Sequence, residues 1–132
     1  MGGRIIARGI GLGILSVALM VGLAALWVWF YSVSINPGHA GGYYQLYGQR
    51  VAPIVAVAAG IPILFLAGWL SGRGTSAPLA PLFPAFTYIL VDIVMSAASG
   101  LAPPMWSLIM SYVTKLAASW AGGELARRKR RR

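Results

Sequence analysis

From Gly9 to Phe30 the chain carries no charged residue, and eleven of these positions are Leu, Ile, Val or Phe. A helix needs roughly 20 predominantly apolar residues to cross a bilayer, and this run supplies them. Each large apolar residue near the bilayer centre favours insertion by about 0.3 to 0.6 kcal/mol, so the eleven contribute roughly 3 to 7 kcal/mol. Trp27, Trp29, Phe30 and Tyr31 close the run with an aromatic group suited to the membrane interface, and Asn36-Pro37-Gly38 then stops the helix. The basic start, Arg4 and Arg8, fits a signal peptide. The apolar stretch, however, outruns the ~7 to 15 residues of a signal core and is followed by aromatics, so it reads as a retained helix of about residues 9–31.

The rest of the chain follows the same economy. Hydrophobic residues make up 58% of the 132 and charged residues only 10%, with a mean hydropathy of +0.74, which leaves no length for a separate soluble domain. A second crossing is expected at about 51–70, bent by Pro62. A third is expected at about 82–99, and a fourth at about 105–121, ended by Gly122-Gly123. Between them lie an external loop at 36–50, a cytoplasmic loop at 71–81 and a tight corner at Gly100 to Pro104. The fold class is thus an all-α integral membrane protein, a single four-helix bundle.

Charge sets the expected orientation. The net charge of +9 comes from eleven basic and two acidic residues, and six of the basic ones are Arg127, Arg128, Lys129, Arg130, Arg131 and Arg132. Together with Arg4, Arg8 and Arg73 they oppose Arg50 alone, which by the positive-inside rule puts both termini in the cytoplasm. The expected location is a bacterial cytoplasmic membrane, where the tail meets anionic headgroups at about 1 kcal/mol per basic residue. The tail lacks interleaved aromatics and is attached to a membrane bundle, which argues against nucleic acid as its partner.

Chemistry-bearing residues are scarce. Cysteine is absent and His39 is the lone histidine, so no disulfide, sulfur ligand or metal-binding cluster is expected, and no cofactor motif is present. No nucleophile elbow or carboxylate pair suggests an enzyme. Two ionisable groups fall inside the spans, Asp92 and Lys115, and such groups are functional candidates. Antiparallel pairing about residue 102 sets Asp92 opposite roughly residue 112, within ~5 Å of Lys115 along the axis. Tyr88, Asp92, Ser96 and Ser99 share one helical face, and Ser107, Ser111, Thr114 and Lys115 another. The expectation is a buried Asp92–Lys115 pair fixing register, supported by Tyr112 and the serines. The alternative is a proton, cation or anion site in a polar pathway. Asp92 and Lys115 also offset the insertion energy of their own helices, so these two should insert as a hairpin.

Two further features suggest contacts. Gly9, Gly13 and Ser16 form a face of small residues, as do Ala52, Ala56 and Gly60, suited to packing within the chain or to an oligomer interface. In the external loop, Tyr43, Tyr44, Tyr47 and Val51 recur at helical spacing beside Arg50, as in an interfacial helix that docks a partner or lipid. In size and crossing count the chain is similar to the small multidrug resistance transporters. Their first membrane helix carries a glutamate and this one has no acidic residue, so no family is assigned. Two functions follow as expectations: a non-catalytic membrane protein acting through lipid, self-association or other membrane subunits, or a small transporter or channel using Asp92 and Lys115.

Overall fold

The structure, a computed structural model, describes residues 2–100 and 104–132. It is all-helical: α1 (Gly2–Phe30) runs on through a π-helical turn at Tyr31–Ile35, then follow α2 (Gly41–Ala58), α3 (Gly60–Gly72), α4 (Leu82–Ser99) and α5 (Met105–Arg130). Gly2–Ile35 and Leu82–Ser99 are long and apolar enough to cross a membrane. The bent pair α2 and α3 makes a third such element if it is one span. α5 falls short on its own composition, because even its most apolar stretch carries Lys115, Tyr112, Thr114 and three serines.

Helix boundaries depart from the sequence expectation at several places, beginning with α1, which is helical from Gly2 and not from about residue 9. The 41° bend of the second crossing falls at Ala59, not at Pro62. Pro62 lies in the first turn of α3, and a proline withholds the N–H that would reach the carbonyl four residues earlier, so the ladder fails upstream of it. The helix expected within the 36–50 loop, over Tyr43 to Val51, is present, but as the first half of α2, which starts at Gly41 and runs on unbroken to Ala58. Gly122-Gly123 does not end α5, which continues through the tail to Arg130. The corner expected at Gly100 to Pro104 lies partly outside the described residues, but Gly100 caps α4 with φ of 68°, a left-handed value that glycine adopts without strain.

The two tightest helix pairs are built from small residues. On α3, side chains added at Gly68 and Gly72 would run into the backbone of Ser119 and Gly123, while one at Gly122 on α5 would strike the Phe65 carbonyl. α3 and α5 therefore touch backbone to backbone, the geometry that small residues permit between membrane helices. α1 lies along α4 in the same manner, with Gly9 against Phe83 and Gly13 against Thr87 and the Pro84 carbonyl. The small face of Gly9, Gly13 and Ser16 is thus buried within the chain, whereas Ala52 of the second small face is exposed. Met20, Leu64, Ala67 and Tyr88 form the core where α1, α3 and α4 meet.

One end of the molecule gathers the basic segments. Arg8 Nη1 donates to the Arg73 carbonyl at 3.3 Å, and Arg127 Nη2 reaches the Pro78 carbonyl at 3.5 Å. The Pro-rich connection between α3 and α4 is clamped there as well. Two of its carbonyls also accept from hydroxyls: Ser71 Oγ donates to Ala80 at 2.7 Å, and Ser119 Oγ donates to Pro81.

Candidate functional site

The polar residues of α4 and α5 do meet, though not as an ion pair. Lys115 is 2% exposed. Its Nζ donates to Ser111 Oγ at 2.9 Å, one turn back on α5, and stands 4.5 Å from the centre of the Tyr88 ring and 5.8 Å from that of Tyr112. A ring face attracts a cation by about 0.5 to 2 kcal/mol, most when both are removed from water. The stem of Lys115 fills the space left by the missing side chain at Gly60, beside Met20. Residues of α1, α3, α4 and α5 therefore surround one lysine.

Asp92 takes a different partner. Tyr112 Oη donates to Asp92 Oδ2 at 2.7 Å, and the ion pairs among the described residues are both made by Glu124, with Arg127 at 3.4 Å and Arg128 at 3.3 Å. The expected direct Asp92–Lys115 pair is thus corrected to a relay of contacts in which Tyr112 holds the carboxylate while Ser111 and Tyr88 hold the ammonium. The reason lies in register and reach: Ser111 sits one turn from Lys115 on the same face and intercepts its amine. Ser96, one further turn along α4, is half-buried and joins the cluster through no side-chain hydrogen bond among the described residues.

A phenol donating to a carboxylate between membrane helices is worth roughly 0.6 to 1.7 kcal/mol. Tyr112→Phe should therefore lower unfolding stability in detergent by about 1 kcal/mol, while Asp92→Asn, which keeps an acceptor oxygen, should cost about half that or less. Chemical unfolding followed by tryptophan fluorescence separates the two.

At the opposite end, the aromatic residues singled out as a docking surface bind to one another. Tyr31 and Tyr47 stack with ring centres 3.7 Å apart, and Trp27 Nε1 donates to Tyr47 Oη at 3.0 Å. Asn36 is the hub, a role its sequence position as a helix stop did not reveal. Its Nδ2 donates to Tyr31 Oη at 3.2 Å and Tyr43 Oη at 3.0 Å, its carbonyl accepts from Tyr44 Oη at 2.8 Å, and its Oδ1 lies 3.1 Å from His39 Nε2. His39 also stacks on Tyr43 at 4.1 Å. This cluster fastens the end of α1 to the start of α2. Arg50 is exposed and makes no side-chain hydrogen bond to it among the described residues.

No family model, no curated protein and no solved structure matches this chain significantly. Its function must be read from its own geometry. No group of three or more potential metal ligands occurs among the described residues. The features sequence reasoning missed are the Gly68–Gly72 seam on α3, the place of Gly60 beside Lys115, and a cleft at the basic end lined by Trp69, Arg73, Lys129 and Arg130. The four-residue spacing of Gly68 and Gly72, repeated in Ser119 and Gly123, was the available signal for the first.

Proposed function

We propose that this chain is a four-crossing membrane bundle with both ends on the cytoplasmic side, acting without catalysis through contacts with lipid and with neighbouring membrane proteins. The observation that carries the reading is the separation of the two ends. Arg8, Arg73 and Arg127 converge at one, while the other is a cluster of tyrosines, Asn36 and His39. The positive-inside rule then favours a cytoplasmic basic end, in a bacterium the inner face of the cytoplasmic membrane. Outward positions support an apolar setting for all four elements: Leu26 and Trp29 on α1, Ile54 on α2, Leu90 and Val94 on α4, and Met105, Trp106, Ile109 and Met110 on α5 are exposed. α5, too polar to insert readily by itself, is carried by its backbone-close seam with α3. The sealed position of Lys115 favours a structural use of the polar cluster over a transport pathway.

The absence of cysteine makes topology directly testable. Single substitutions Gly3→Cys, Gln45→Cys and Ser76→Cys lie at exposed positions on the two ends. A membrane-impermeant maleimide should label Gln45→Cys in intact cells and reach the other two only after permeabilisation. Equal labelling of all three would remove the membrane reading, and the opposite pattern would invert the orientation. A photoreactive residue at Trp106 should then crosslink to lipid or to a second membrane protein. The second reading, transport through the Asp92 region, is favoured by the half-buried carboxylate on Tyr112. It requires an ion or solute flux in proteoliposomes that Asp92→Asn abolishes while the fold is kept.

A further inference from the structure

At the basic end, beyond the close approach of Gly72 to Gly123, a cleft of about 340 Å³ lies between Trp69, Arg73 and Gly74 on one side and Ala126, Lys129 and Arg130 on the other. This is near the lower end of the ~300 to 1,000 Å³ typical of small-molecule sites, suited to a headgroup more than to a large ligand. The charges around it are arranged unevenly. Glu124, the acidic residue of this end, is held by Arg127 and Arg128. Arg73, Lys129 and Arg130 are left without a carboxylate partner among the described residues. The Arg73 guanidinium lies 4.6 Å from the centre of the Trp69 ring, which fixes a cation at the wall of the cleft. Gly74, at φ of 80°, turns the chain here, and no atom stands within 4 Å of where its side chain would be, so the cleft mouth is open.

We infer that this cleft binds the phosphate headgroup of an anionic phospholipid, with Arg73, Lys129 and Arg130 as the cations and Trp69 as the interfacial wall beside the acyl chains. The inference rests on the membrane orientation proposed above. It goes beyond a tail lying loosely on a charged surface, because it assigns one lipid to one place formed by the end of α3, the turn after it and α5. Guanidinium and ammonium groups complement a phosphodiester, and a tryptophan at the headgroup level suits the boundary between its polar and apolar parts. A soluble phosphate shares the charge but not the acyl chains, and the two sources are separable.

The test uses the full chain in a neutral detergent, titrated with phosphatidylglycerol or with phosphatidylcholine of the same chains and read by native mass spectrometry. The wild type should retain one phosphatidylglycerol in clear preference to phosphatidylcholine. Arg73→Gln/Lys129→Gln should weaken phosphatidylglycerol by roughly 30-fold, about 2 kcal/mol for two basic contacts at 1.4 kcal/mol per factor of ten. Arg131→Gln/Arg132→Gln makes the same charge change at the exposed end of the chain and should cost less than about threefold if the cleft is the site. Each single cleft variant, expected to weaken binding about fivefold, keeps the test readable if the double variant misfolds. Equal losses in cleft and tail variants, or no preference between the lipids, would overturn the site. Displacement of the lipid by excess inorganic phosphate would overturn the lipid assignment. A chain that needs no detergent to stay soluble would instead refute the membrane orientation itself, and the maleimide pattern reads that separately.

Discussion

Gly68→Ala should separate α3 from α5 and destabilise the chain by about 3 kcal/mol, the upper end of the range for forcing extra volume into a packed interior. The new methyl group would run into the carbonyl of Ser119, a backbone group that cannot rotate aside. Relief requires the helices to move apart, which also pulls Ser119 Oγ from the Pro81 carbonyl and loosens the connection between α3 and α4. Gly122→Ala meets the Phe65 carbonyl from the other side of the seam and should behave alike. Gly11→Ala is the matched control. It lies mid-α1 with no atom within 4 Å of the added carbon, so the substitution should be neutral or stabilise by about 0.5 to 1 kcal/mol through helix propensity. Thermal unfolding in detergent compares the three. Equal effects at Gly68 and Gly11 would mean that the seam does not exist.

Legibility in the sequence divides along the same line between what one helix determines and what two determine together. Apolar length and aromatic ends mark α1, and Pro81, Pro84 and Gly100 bracket α4, because each signal acts within its own segment. Pro62 announces a bend but not its place, since its effect falls on the acceptor side of the turn before it. Gly122-Gly123 illustrates the harder case. A glycine pair ends a helix or admits a neighbour, and only the presence of Gly68 and Gly72 across the seam decides that it admits one. The polar site has the same character. Helical spacing puts Tyr88 and Asp92 on one face and Ser111 and Lys115 on another, but it does not say which hydroxyl reaches a charge first. Tyr43, Tyr44 and Tyr47 were legible as a helical stripe, while Asn36, which binds them to α1, carried no periodic signal.

Lys115→Met should leave the fold intact and stabilise it by about 1 kcal/mol or more, whereas Lys115→Ala should destabilise it by roughly 2 to 4 kcal/mol. The opposite signs follow from what each substitution removes. A buried ammonium loses its hydration, and here it donates one hydrogen bond to Ser111 and faces the rings of Tyr88 and Tyr112, with no carboxylate within 4.0 Å among the described residues. Replacing such a charge by an apolar side chain of similar length is often neutral or stabilising. Methionine keeps the unbranched stem that lies against Gly60 and Met20, and its flexibility lets it fill the irregular space between four helices. Alanine removes the charge too, but leaves a cavity at that junction, and cavities of this kind set the larger cost. A measurement in which Lys115→Met is the more damaging of the two would show that the ammonium itself holds the bundle, through Asp92 across the Tyr112 contact. Adding Asp92→Asn to each variant completes the cycle: coupling near zero fits a lysine retained for its shape and its tyrosine contacts, and coupling above about 1 kcal/mol fits an electrostatic partnership between α4 and α5.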